Sequence, residues 1–127
     1  TRQDNFKRQC KFFAKHSQFF SNPIESSDFE TAWLAFPILI KEDAPFTRRD
    51  FQIYLEERNI QTRVVFTGNV LRQPMTKNVE KRVRSSGYPN ADAVMQRGVL
   101  LPLHHGLTES MFSRFQETVN EFVAQFV

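Results

Sequence analysis

Cysteine is almost absent from this 127-residue chain, where Cys10 stands alone. A disulfide framework and a thiolate metal site made within the chain are therefore excluded, and the count fits a reducing cytoplasm. Glycine is scarce, at four residues. Neither GxxxxGK nor GxGxxG occurs, which removes two glycine loops that cradle phosphates. No apolar run approaches the ~18 residues of a membrane span. The opening Thr1-Arg2-Gln3-Asp4 is polar and charges continue through Lys15, so no signal peptide is legible. There is no initiator Met, and the expectation is a fragment of something longer. One-sided charge is lacking too: the net charge is +3 with both signs spread along the chain. That describes an ordinary soluble surface, with a weak hint of an anionic partner.

Phenylalanine is what the chain has in excess, with 14 copies in a composition that is 40% hydrophobic. The length suits one domain with a real core, spanning 1–127, and not two. Phe6, Cys10, Phe13, Ser17 and Phe20 recur at helical spacing and Phe12 and Phe19 widen the stripe, predicting an amphipathic helix ended by Asn22-Pro23. Trp33 to Ile40 is a continuous apolar run, read as a buried strand, in which Pro37 calls for an edge or a bulge. Thr47 begins a helix with Asp50 completing a capping box and Phe46 and Phe51 as a hydrophobic staple. Phe51, Tyr54 and Leu55 form its buried face, and Asn59 takes a left-handed position after its end.

A second strand is expected over Gln61 to Phe66. Asn90 can cap a short helix from Ala91 to Arg97, closed by Gly98, and Val99-Leu100-Leu101 reads as a third strand. Thr108 caps the last helix, with Leu107 and Phe112 as its staple and an apolar stripe running through Phe115, Val119, Phe122, Val123 and Phe126. Lys77, Lys81, Arg82 and Arg84 form a basic cluster around Val79 and Val83, read as a solvated loop or frayed helix, or as a phosphate-contacting flap. The fold class is α+β: a small mixed sheet of about three strands packed against long amphipathic helices.

The chemistry concentrates in Gly68-Asn69-Val70-Leu71-Arg72-Gln73-Pro74. Glycine suits a sharp exit from the preceding strand. Asn69, Arg72 and Gln73 then put several hydrogen-bonding groups, one permanently charged, on one loop. That inventory suits an anion or a hydroxylated ligand, and it holds no nucleophile or evident base. Two readings of Arg72 stand: it orients a substrate, or it pins the loop through a salt bridge. Arg63 reads as structural, and Trp33, Phe36 and Phe66 read as core.

His104-His105 is a poor chelate, because neighbours in extended chain point to opposite sides and no Cys, Asp or Glu completes a set. One of the two histidines could line a ligand cleft, or both could pack the loop. His16 is expected at the surface and Cys10 as a buried, inert thiol. The aromatics fall on core stripes and are not interleaved with Lys and Arg, which argues against nucleic acid. No complete active site is visible, and no metal site. No lysine has the burial that depresses a catalytic pKa; Lys41, Lys77 and Lys81 sit in charged runs.

Asn5-Phe6, Ala32 to Ile38, Asn59 to Arg63, Gly68 to Pro74, Tyr88 to Asp92 and Leu101 to Thr108 follow one another in a familiar order. The chain resembles the C-terminal small domain of the DegT-type sugar aminotransferase and dehydratase family, enzymes of the aspartate aminotransferase fold. The likeness covers nearly the whole chain. Trp33, Phe36 and Pro37 with the Gly68 to Pro74 loop look closest to the branch acting on nucleotide-linked 4-keto-6-deoxy hexoses, notably the 3-dehydratases. The resemblance implies a pyridoxal phosphate or pyridoxamine phosphate cofactor, held mainly by an N-terminal domain absent here. That domain would carry the catalytic residue, a Schiff-base lysine in aminotransferases and a histidine in the 3-dehydratases. The resemblance further implies a nucleotide-sugar substrate, a cytoplasmic homodimer, no membrane partner, and an inactive fragment when the small domain stands alone. Asn69, Arg72 and Gln73 are then the substrate-binding candidates. Some dehydratases of this type carry an iron-sulfur cluster, which a lone Cys10 cannot supply. The rival from another class is a non-catalytic interaction domain with a similar sheet.

Overall fold

A computed structural model describes residues 1–28 and 30–127. The elements run α1 (Arg2–Ala14), β1 (Phe20–Ser21), β2 (Phe36–Ile40), α2 (Arg48–Glu56), β3 (Arg63–Val64), α3 (Pro89–Arg97), β4 (Gly98–Leu101) and α4 (Glu109–Val123), with single 3-10 turns at Val70–Arg72, Pro74–Thr76 and Ala124–Phe126. The sheet order is β1-β2-β4-β3. Every described pairing is antiparallel, with Phe36 opposite Leu101 and Arg63 opposite Leu100. The α+β class holds, but the sheet has four strands and is antiparallel, not mixed.

The period-2 alternation of β2 sets the layers. Phe36, Ile38 and Ile40 are buried, while Pro37 and Leu39 are half-buried. The buried set joins Val99 and Leu101 of β4 beneath α1, α2 and α4. Phenylalanine fills most of this layer. The Phe13 ring stacks on Phe36 at 5.6 Å, and Phe122 of α4 meets Phe46 at 4.8 Å and Phe51 of α2 at 5.2 Å. Such offset and edge-on pairs add about 0.5–1.5 kcal/mol each beyond the area they bury. The short helix α3 contacts β2 and β4 and contributes no residue to that core. No helix of the described residues is long and apolar enough to cross a membrane.

Local rules placed most helix ends well. The Thr47 side chain accepts from Asp50 N–H while Asp50 accepts from Thr47 N–H at 2.8 Å, a complete capping box. The Thr47 hydroxyl, which donates to the Asp50 carboxylate at 2.7 Å, and then the Thr47 N–H hold that carboxyl below its ordinary value. Asn59 lies in the left-handed region at φ 58, and Thr108 caps α4 through Met111 N–H.

Four expectations are corrected. The first helix ends at Ala14, and the segment to Phe20 turns back so that Phe20–Ser21 pairs with Leu39 and Ile40. Phe19 and Phe20 are still buried, so their apolar spacing reported burial rather than helix. The strand expected from Trp33 starts only at Phe36, and Leu34 is exposed. Pro37 lies on the stretch of β2 beyond the reach of β1, which answers its need for an open edge. The strand expected over 61–66 shrinks to Arg63–Val64. Asn90 does not cap α3: Pro89 occupies its first turn after Tyr88. Gly98 ends that helix in an extended conformation and starts β4 directly, where a Cβ would meet the Val94 carbonyl oxygen at 2.5 Å.

Candidate functional site

The chain leaves the sheet at β3 through two left-handed residues. Phe66 has φ 44 and Gly68 φ 62, and the turn is closed by Phe66 N–H to the Val64 carbonyl and Gly68 N–H to the Val65 carbonyl. Gly68 is required twice over: the conformation favours it, and a Cβ there would stand 2.3 Å from Met95 Cβ. Phe66 is 81% exposed. Its expected core position is therefore wrong, because the left-handed turn ends the strand and turns the ring outward. A bulky residue held there stores about 1–3 kcal/mol of strain.

Past Gly68 two of the three sequence-predicted site residues, Asn69 and Arg72, meet at a fourth, Asp92, while Gln73 turns back on the loop. Asn69 is buried; its Oδ1 accepts from Leu71 N–H at 3.0 Å and its Nδ2 donates to Asp92 at 2.8 Å. Arg72 donates to both Asp92 oxygens, from Nε and Nη2, each at 3.0 Å. Gln73 Nε2 donates to the Thr67 carbonyl. Each of these bonds ties the loop to itself or to the first turn of α3. Asp92 had no assigned role in the sequence, since it lies 20 residues from Arg72 and only tertiary folding brings the two together. Its place in the first turn of a helix opened by Pro89 was the one local hint of an acid with a structural task.

Hydrogen bonds from Arg72, then from Asn69, lower the Asp92 carboxyl from 3.8 to about 2, and the same contact raises the Arg72 guanidinium. A carboxyl depressed in the folded state contributes stability that is complete above its ordinary value and lost as pH falls through the folded one. The tether is therefore expected intact above about pH 4 and released on the way down to about 2. A carboxyl carbon NMR titration should find Asp92 with a midpoint near 2, and Arg72→Ala should move it up. An unshifted midpoint in the parent protein would disprove the tether.

Beside this loop lies a groove of about 560 Å³. Phe66, two residues before the loop, lines it. The floor is made by the β4 end, Leu101 to Leu103, and by α4 residues Phe112 and Phe115. Leu34 and Met111 join Phe66 as exposed apolar groups on its walls. Arg63, Arg114 and His104 also line it, and among the described residues no carboxylate does. Arg63 pairs with no acid among the described residues, and its exposure on the groove leaves its structural reading without a partner. Gln9 of α1 lines the groove at 1% exposure, and its Oε1 has no hydrogen-bond partner among the described residues. Sequence reading missed Gln9, since one glutamine on a helix carries no signal of burial.

The remaining candidates fall elsewhere. His104 Nδ1 accepts from Gly106 N–H at 3.1 Å, which shapes the turn, and His105 is exposed. Among the described residues no three His, Cys, Asp or Glu converge as a metal set. His16 bonds Asn120 at 2.8 Å on a half-exposed face. Cys10 is half-buried, and burial, with the charge of Glu25, pushes its thiol up, away from a reactive thiolate. Trp33 stacks on Phe6 at 4.6 Å and Phe36 is fully buried, as core residues should be. The basic segment is exposed irregular chain, with Lys81 donating to the Thr76 carbonyl.

Known proteins resemble this chain in sequence and in fold. The chain is 35% identical over 103 residues to the dTDP-4-dehydro-2,6-dideoxy-D-glucose 3-dehydratase of Saccharopolyspora spinosa, covering 81% of this chain and 22% of that protein. It is 30% identical over 120 residues to the lipopolysaccharide biosynthesis protein RfbH of Salmonella typhimurium, covering 91% and 27%. The chain thus spans about a quarter of the length of these relatives. The fold superposes on the E. coli GDP-4-keto-6-deoxy-D-mannose-3-dehydratase with bound hydrated PLP at a TM-score of 0.78 and 22% identity, covering 92% of this chain and 29% of that one. A family model matches residues 1–120. With that match over nearly its whole length, the chain belongs to the DegT/DnrJ/EryC1/StrS aminotransferase family.

Proposed function

We propose that this chain is the C-terminal domain of a cofactor-dependent enzyme that removes the C3 hydroxyl from a nucleotide-linked 4-keto-6-deoxy sugar. The observation that carries the reading is the 35% identity to a sugar 3-dehydratase across most of the chain. Transamination of a similar sugar is the second reading, favoured by the family model itself. The cofactor on this reading is pyridoxal phosphate or pyridoxamine phosphate, which supplies an electron sink for chemistry next to the keto group. The residues here do not fit it by themselves. Every lysine is exposed except the half-buried Lys41, His104 and His105 are exposed and the half-buried His16 bonds Asn120, so the described residues form no enclosed base or ring-holding cradle. We assign the cofactor's hold and the catalytic group to the rest of the protein, and no step of the reaction to this chain. A cytoplasmic homodimer belongs to the same reading.

What this chain supplies is binding and orientation. Asn69, Arg72 and Gln73 sit on a loop braced from below by Asp92, so their remaining polar atoms are held in fixed positions. The Arg72 side chain is 64% exposed and spends Nε and Nη2 on Asp92. On this reading Nη1 is left to face a substrate oxygen.

In the full-length enzyme, Arg72→Ala is expected to raise KM or lower kcat by about tenfold, and Asp92→Asn by less, because it loosens the loop without removing the cation. Equal losses would leave Arg72 only its bracing role. The reading as a whole is tested by loading the full-length protein with pyridoxal phosphate, reducing with borohydride and mapping labelled peptides. Tightly held cofactor that borohydride never attaches supports the dehydratase. A labelled lysine outside this stretch supports the aminotransferase. A protein that binds no cofactor overturns both.

A further inference from the structure

Between the candidate site and α3 the chain makes an excursion that folding leaves unused. Residues 77–86 are all exposed, and none of them joins the core. Both ends of the excursion are held. Thr76 Oγ1 donates to the Val70 and Gln73 carbonyls at 3.0 and 2.9 Å, and beyond the far end Asp92 is gripped by Arg72. The loop is therefore closed at its base while its side chains stand in water. Its charge is one-sided. Residues 77–84 carry four of the chain's 17 cations, Lys77, Lys81, Arg82 and Arg84, and one of its 14 acids, Glu80, which leaves 13 of each elsewhere. The whole net charge of +3 thus sits in this short stretch. None of the four cations forms an ion pair among the described residues, and Lys81 donates to the Thr76 carbonyl. Met75, Val79 and Val83 are exposed on the same loop.

We propose that this loop attaches the protein reversibly to an anionic bilayer surface. Lys77, Lys81, Arg82 and Arg84 meet the headgroup phosphates, and Met75, Val79 and Val83 settle at the acyl boundary beneath them. Beside an anionic leaflet each Lys or Arg raises partitioning by about fivefold. Other polyanions answer the observations less well. Single-stranded nucleic acid is held by aromatics on which its bases stack, and residues 75–87 contain none. A duplex backbone would take the cations and leave the three aliphatic side chains in water. Protein interfaces are poor in lysine and anchored by aromatic groups. Attachment of this kind needs no spanning helix. It departs from the expectation of no membrane partner drawn from the family resemblance, and it does not depend on the sugar-processing reading.

The test sediments the full-length protein in low salt with vesicles of phosphatidylglycerol and phosphatidylcholine, and with vesicles of phosphatidylcholine alone. Binding is expected to the anionic vesicles only, and about 0.5 M salt should release it. Changing all four cations together, Lys77→Gln, Lys81→Gln, Arg82→Gln and Arg84→Gln, should weaken vesicle binding by about a hundredfold or more. The four side chains are exposed, so Tm should not move. Lys77→Gln with Arg84→Gln keeps the Lys81 bond to Thr76 and should weaken binding by about tenfold or more, which separates lost charge from lost loop shape. A parent protein that ignores anionic vesicles overturns the proposal, and so does binding that survives the fourfold change. Duplex DNA that binds as tightly and strips the protein from the vesicles assigns the loop to nucleic acid instead. A KM for a nucleotide-linked sugar that rises in the fourfold variant, with no vesicle binding in the parent, assigns the cations to substrate.

Discussion

Phe51→Ala is expected to cost about 3–5 kcal/mol of folding stability. Phe51 is fully buried on α2 and its ring meets Phe20 at 5.2 Å, Phe46 at 6.4 Å and Phe122 at 5.2 Å. It therefore stands where β1, α2 and α4 close on one another. Rings around a deleted ring cannot easily collapse into the space, since each is held by further aromatic neighbours, as Phe122 is by Tyr54 and Phe126. The cavity term then adds to the lost transfer energy. A typical domain is stable by about 5–15 kcal/mol, so the variant should be close to unfolding. Urea unfolding followed through the lone Trp33, which stacks on Phe6, measures it. A loss below about 1 kcal/mol would mean that this aromatic layer repacks freely, contrary to the close packing described.

Gly68→Ala should strike the candidate site most directly. The left-handed backbone at φ 62 costs a non-glycine residue about 1–2 kcal/mol. The new methyl would also stand 2.3 Å from Met95 Cβ and 2.5 Å from its Cα, and forced overpacking adds about 1–3 kcal/mol. Met95 lies on α3, the helix whose first turn carries Asp92. Pushing the loop off α3 therefore separates Arg72 and Asn69 from their shared carboxylate. Stability should fall, and the depressed Asp92 titration should return toward its ordinary value in the same variant. A stable Gly68→Ala protein that keeps Asp92 near 2 would show that the loop does not rest on this contact.

The parts that were legible in the sequence share a physical cause: each was written within a few residues. The capping box at Thr47 and Asp50, the staple of Phe46 and Phe51, the left-handed Asn59 and the α4 stripe all depend on neighbours within one or two helical turns. The loop chemistry at Asn69, Arg72 and Gln73 was likewise visible as a local inventory of donors and acceptors. The family resemblance was visible too, through motifs kept in order along the chain. What failed locally was the reach of each element. Apolar spacing from Phe6 to Phe20 marks residues that become buried, and it cannot tell a continuing helix from a turn into a two-residue strand.

Sequence by itself thus determined the class of fold, the punctuation of α2 and the start of α4, the phenylalanine core and the polar loop, because these follow from periodicity and short-range hydrogen bonding. Tertiary structure alone decided the antiparallel four-strand order, the outward ring of Phe66, the burial of Gln9 and the use of Asp92 as the anchor of Arg72. Each of these joins residues far apart in the chain, or depends on which side of a sheet a short turn delivers a side chain. Such outcomes are settled by packing, where a difference of a residue in strand length moves a ring from core to solvent.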